Sequence, residues 1–223
     1  MIKAYVASQI GKKQLVAITG LALVLFVFFH LSANLLLFLG PEVFNFFPEL
    51  IHSTGPLLRI LEAGLASVFI IHIILTIALV RQNRRARPVN YKFTEQKERS
   101  LATRLMPYTG TILLLFLAFH INDFVLQDHS GIKSVVSGDS LGLYGLIYNA
   151  FENPLRVIFY ILGVSSLGFH LSHGIQSVVQ TLGYYHPNYT PIIKQASRAI
   201  GVTVAILFSS IPLYFSYVNW INT

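Results

Sequence analysis

Residues 15–39 read LVAITGLALVLFVFFHLSANLLLFL, twenty-five positions without one Asp, Glu, Lys or Arg. At 1.5 Å of rise per residue, a helix over this stretch is roughly 37 Å long, enough to cross a hydrocarbon core of about 30 Å. A helix that is apolar on all sides for that length is built for lipid. His30 alone interrupts it with an ionisable ring, and such a group at membrane depth is costly unless it has a purpose.

Four further stretches carry the same signal, at about 57–80, 105–126, 155–180 and 197–219. The chain of 223 residues is 54% hydrophobic and 11% charged, with a mean hydropathy of +0.62. A water-soluble domain carries about 25% charged residues. The sequence therefore predicts an all-α integral membrane protein of five transmembrane helices, residues 1–223 forming one domain. Pro41, Pro56, Pro107 and Pro154 fall at or near predicted span ends, where proline is tolerated, and Pro212 predicts a kink in the fifth span. The leading MIKAYVASQIGKK precedes an apolar run too long for a signal-peptide core, with no A-x-A-like cleavage site after it. It reads as a retained first helix. No fixed-period repeat and no low-complexity tract is expected.

The net charge of +7 raises nucleic acid and anionic lipid as partners, and its distribution decides between them. Lys3, Lys12 and Lys13 precede the first span. Arg81, Arg84, Arg85, Arg87, Lys92, Lys97, Arg99 and Arg104 fall between spans two and three, and Lys194 and Arg198 between spans four and five. Only Arg59, Lys133 and Arg156 lie on the other side. The positive-inside rule then places the N-terminus in the cytoplasm and the C-terminus outside, with no nucleic acid involved. The basic second loop fits lipid headgroups, a cytoplasmic partner, or both.

Cysteine is absent, which excludes disulfides, iron–sulfur clusters, zinc thiolates and covalently attached haem. Any metal chemistry rests on the eight histidines. His30, His72, His120 and His170 stand one per span on spans one to four, and His173 is a second on span four. Any one of them alone is better read as an interhelical hydrogen bond. Their depths change that. Counted from the cytoplasmic ends of the predicted spans, His30 and His120 both lie fifteen residues deep, His72 eight and His170 ten. Two levels result, about six residues or roughly 9 Å apart. Two imidazoles from facing helices clamp an iron porphyrin from both sides, so the first four helices are expected to form a bundle holding two b-type haems.

Depth does not choose between His170 and His173, which lies seven residues deep on the same face. A helical H-x-x-H also suits zinc, but span four has no Asp, Glu or Cys to complete that site. Small residues at Gly163, Ser165, Ser166, Gly168 and Gly174, and at Gly20, Ser32 and Ala33, offer room for a flat macrocycle or for ordinary close helix packing.

The segments GKKQLVAITGL (11–21), FFHLSANL (28–35), LEAGLASVFIIHIIL (61–75), RLMPYTGTILLLFLAFH (104–120) and FHLSHGIQSVVQTLGYYHPNY (169–189) occur in order across nearly the whole chain. Together they resemble the two-haem, single-polypeptide cytochrome b anchor of succinate:quinone oxidoreductases, the succinate dehydrogenase and fumarate reductase family. That resemblance implies one haem ligand on each of the first four helices. It pairs His30 with His120 on the outer haem iron and His72 with His170 on the inner one. His170 is chosen over His173 because the family's fourth ligand is followed four residues later by glycine, here Gly174. The resemblance also implies a flavoprotein and an iron–sulfur subunit on the cytoplasmic side of a bacterial cytoplasmic membrane. Electrons would pass between that iron–sulfur subunit and a membrane quinone, menaquinone in most two-haem members. No dicarboxylate site falls on this chain.

A quinone site needs a proton donor or acceptor near the outer level, and Asn34, His52, Glu62 and Asp123 are the candidates. Glu62 and Asp123 have an equal claim to be helix caps or salt-bridge partners of Arg59 and Arg156. Haem propionates need cations or hydroxyls. Arg81, Arg104 and Ser177 are candidates inside and Arg59 and Arg156 outside, although arginines at these depths also snorkel to headgroups. His129 and His186 read as solvated loop residues.

Two rival readings share parts of this pattern. The cytochrome b anchors of nitrate reductases and hydrogenases often place two ligands on one helix. A proton-coupled transporter would show broken helices in corresponding halves. The histidine distribution and the uninterrupted spans favour neither.

Overall fold

A short helix, α1 (Ile2–Ala7), leads into the first long one, α2 (Gln9–Leu35), across Ser8. The Ser8 hydroxyl accepts from the Gly11 N–H at 3.0 Å, an N-cap that fixes where α2 begins. The computed structural model describes residues 2–86 and 101–222, with side chains over 5–86 and 105–221. Arg87, Lys92, Lys97 and Arg99 lie outside the described residues, as do the side chains of Lys3 and Arg104.

α2 ends in a tighter turn over Leu36–Leu39, and Gly40, at φ 96°, reverses the chain into α3 (Pro41–His52). α4 (Pro56–Arg85) and α5 (Leu101–His120) follow, and a π turn over Ile121–Val125 extends α5. A two-residue hairpin, β1 (Val135–Val136) with β2 (Asp139–Ser140), and α6 (Gly142–Ala150) follow. α7 (Pro154–Thr181) and α8 (Tyr189–Asn222) complete the chain. Five helical segments are long and apolar enough to span a membrane, so this is a multi-pass membrane protein.

The expected spans are present but run longer at the ends flanked by basic residues. α2 begins at Gln9 rather than near 15, α4 continues to Arg85 rather than 80, and α8 begins at Tyr189 rather than 197. Hydropathy registers only the lipid-crossing part of a helix. Arg84 and Arg85 suit the negative end of the α4 dipole and let that helix continue past the apolar run. Pro107 lies inside α5 rather than at its end, and α8 is continuous through Pro212.

α7 is the hub. It packs along α8, α5 and α2, while α4 packs on α2. Neither α4 with α7 nor α2 with α5 packs backbone to backbone to a comparable extent. The α7–α8 seam closes through glycine: a Cβ on Gly168 would sit 2.5 Å from the Gly201 carbonyl oxygen and 2.8 Å from the Ala205 Cβ. Outside it, Phe215, Leu37, Phe44, Ile147 and Phe151 form a buried cluster where α3, α6 and the outer end of α8 meet. Asn45 ties this cap together. Its amide donates to the Leu141 carbonyl at 2.8 Å and its own carbonyl accepts from the Tyr144 N–H at 3.1 Å.

Candidate functional site: two histidine levels

His30 and His120 meet in the gap between α2 and α5, their ring centroids 5.8 Å apart and their planes at 89°. Each is backed by the phenylalanine one turn before it. Phe26 stacks on His30 at 5.3 Å and 21°, and Phe116 on His120 at 5.8 Å and 26°. Phe124 and Tyr160 crowd the far side of His120, and Phe208 of α8 lies against His30. His120 Nδ1 is buried with no hydrogen-bond partner. An unpartnered ring nitrogen away from water is expensive, which makes it a nitrogen kept for something else.

The inner level is different. His72, on α4, lies with Nδ1 3.0 Å from the Thr19 hydroxyl of α2. His170, on α7, lies with Nδ1 3.2 Å from the Thr109 hydroxyl of α5. Glycine follows each threonine. A Cβ on Gly20 would stand 3.3 Å from the His72 Cε1, and one on Gly110 3.6 Å from the His170 Cε1. Among the described residues no three His, Asp or Glu side chains gather as a metal cluster, so the H-x-x-H pair recruits no further donor.

Thr19, Thr109 and Gly110 are functional candidates that hydropathy and histidine depth do not reveal. A signal for them does exist, and it revises the expectation of no repeat. Residues 19–30 read TGLALVLFVFFH and residues 109–120 read TGTILLLFLAFH. Both follow the pattern T-G-x-x-L-x-L-F-x-x-F-H, in helix without a break. Thr-Gly opens each copy beside the inner histidine of the following span, and Phe and His close it at the outer level. Since Thr19 and Thr109 mark the inner level on α2 and α5, eleven residues separate it from His30 and His120. The rise is roughly 16 Å rather than 9 Å.

Asp123 sits on the π turn directly after His120 and faces α7. Its Oδ2 accepts from the Tyr160 hydroxyl at 3.1 Å and lies 3.4 Å from the Arg156 Nε. Asp123 is largely shielded and Arg156 partly open, with side chains 12% and 42% exposed. Glu62 pairs instead with Arg59 at 2.9 Å on the α4 surface. Asn34 folds back, its amide donating to the His30 carbonyl at 2.8 Å. His52 ends α3 exposed, beside Arg59 in a shallow outer depression. Arg81 is exposed, and Ser177 lies half-buried near Lys13 and Gln14. His129 is more than a loop residue, since its Nε2 meets the Phe124 carbonyl at 2.7 Å and so holds the π turn. His186 is exposed, its ring tilted at 39° against Tyr189.

Of the small residues expected to make room, several are committed to packing. A Cβ on Gly163 would strike the Phe116 ring, and Gly168 is occupied by the α8 crossing. Gly174 faces open space. No family model, curated protein or solved structure matches this chain.

Three features of these residues suit an iron held between imidazoles. Metal–nitrogen bonds of about 2 Å on either side of one iron put imidazole centroids roughly 6 Å apart, close to the 5.8 Å between His30 and His120. His30 and His120 meet across α2 and α5, which do not close on each other, and His72 and His170 stand on α4 and α7, which do not either. The threonine contacts occupy Nδ1 of the inner rings and leave Nε2 for a metal.

Proposed function

We propose that this chain is the di-haem b membrane anchor of a succinate dehydrogenase or fumarate reductase complex. It would transfer electrons between a cytoplasmic iron–sulfur subunit and a membrane quinone, menaquinone by the resemblance. The observation that carries this reading is His30 opposite His120 across α2 and α5, two helices that do not close on each other. His30 and His120 would hold one haem, His72 and His170 the other. Bound there, the two haems supply one-electron exchange within the lipid interior.

The chain's own residues do the rest. Phe26 and Phe116 fix the outer ring planes, and the aromatic lining excludes water from them. Asp123 is the candidate for proton transfer at the outer side. Tyr160 orients its carboxylate, and Arg156 links it to the aqueous face. The basic inner surface, including Arg81, Arg84 and Arg85, would seat the catalytic subunits and anionic lipid. The N-terminus would lie in the cytoplasm of a bacterial cell.

The test is a dithionite-reduced minus oxidised spectrum of the purified chain with a haem-to-protein ratio. Two b-type haems per chain are expected. No b-type absorbance would overturn the reading.

A further inference from the structure

Each inner histidine receives a hydroxyl from the helix of the preceding span, and the proton count of that contact is informative. Thr19 Oγ1 lies 2.7 Å from the Leu15 carbonyl oxygen, 3.2 Å from the Val16 carbonyl oxygen and 3.0 Å from His72 Nδ1, and the Val16 carbonyl also accepts from the His72 ring. Thr109 Oγ1 lies 3.2 Å from each of the Leu105 and Met106 carbonyls and 3.2 Å from His170 Nδ1. A hydroxyl has one proton, and a carbonyl can only accept. With that proton given to the helix carbonyl, the threonine oxygen presents a lone pair to the ring, so Nδ1 must carry the ring proton. Nε2 is then the bare nitrogen.

Two further features set these threonines apart from ordinary helix back-bonding. Thr109 is the one buried residue among the described side chains of α5, at 8% exposed, the others being part-buried or exposed. The glycine after each threonine leaves the space beside Cε1 free, in both copies of the twelve-residue repeat.

We infer that Thr19 and Thr109 are positioning residues that lock His72 and His170 in the Nδ1-protonated tautomer, leaving Nε2 of each ring for the inner metal. This rests on the di-haem reading. A ring that donates Nδ1–H to a hydroxyl is the more basic ligand and favours the oxidised iron. Removing the acceptor therefore moves the inner midpoint potential upward. The outer level has no such support at His120, so the effect is confined to one haem.

The experiment uses the full chain in membranes carrying Thr19→Val, Thr109→Val, the corresponding Thr→Ser variants, and Thr111→Val. Thr111 is exposed on α5 and bonds only its own helix, at the Pro107 carbonyl. The inner haem is identified as the one lost in His72→Leu and kept in His30→Leu. Redox titration and low-temperature EPR of the ferric haems give the readout. Each valine variant should raise the inner midpoint, or lose that haem alone, and change its g-values, while serine restores wild-type behaviour. A wild type with two haems and valine variants with unchanged midpoints overturns this inference but not the di-haem reading. So does a shift equal to that of Thr111→Val, or loss of both haems together. A wild type without b-type absorbance overturns both. His173→Leu should keep both haems, and loss of the inner one there would also overturn the assignment.

Discussion

The two histidine levels are built from opposite materials. At the inner level polar groups set the rings, with a hydroxyl at each Nδ1 and a glycine beside each Cε1. At the outer level aromatic faces set them, and one Nδ1 is left without a partner. Hydrogen bonds fix a tautomer and an angle, whereas stacked rings fix a plane and exclude water. The difference teaches that one scaffold can offer two chemically distinct environments from a single repeated segment. That segment starts polar and ends aromatic.

The largest test separates the levels outright. His72→Leu or His170→Leu should halve the haem-to-protein ratio and leave the outer haem, and His30→Leu or His120→Leu the reverse. Loss of both haems from each single variant would break the comparison. Next, Asp123→Asn removes the carboxylate that Tyr160 and Arg156 hold beside the outer level. Quinone-linked turnover should fall on the order of a hundredfold with both haems retained. An unchanged rate would assign Asp123 to tethering α5 to α7.

Packing variants sharpen the contrast further. Gly163→Ala drives a methyl into Phe116, which stacks on His120. It should cost about 1–3 kcal/mol in thermal stability and alter only the outer haem's spectrum. Gly20→Ala brings a methyl to 3.3 Å from the His72 ring, so the inner spectrum should shift while haem content holds. The smallest effect belongs to Gly110→Ala. Its methyl at 3.6 Å makes ordinary contact with His170, and its inner-haem shift should fall below that of Gly20→Ala. Equal shifts at the two glycines would show that clearance beside Cε1 is not what they provide.

The five spans and the rank order of the histidines could be read from residue types alone. Apolar length has a physical minimum in lipid, and histidine within it stands out. The outer cap could not. α3 is only twelve residues long, carries Pro48 and two acids, and has meaning only where Asn45 reaches α6. Thr19 and Thr109 stayed hidden for a different reason. A threonine within a membrane helix normally bonds its own carbonyl four residues back, as both do, and the second contact exists only once another helix supplies the ring. Asp123 and Glu62 began with equal claims and separated only in three dimensions. Glu62 pairs on an open surface, while Asp123 is drawn inward by the π turn.

The eleven-residue interval within the repeat also acts as a gauge. Eleven steps of about 100° overshoot three full turns by only about 20°, so threonine and histidine emerge from nearly one line along the helix. One residue more or fewer would swing the histidine by about 100° and carry it off that line. α2 and α5 are each held at both ends of this gauge, Thr19 and Thr109 against the inner rings and His30 and His120 against each other. Neither helix can slide or rotate to adjust one level without detuning the other, so the distance between the two levels is machined into the chain at the point where each helix is written.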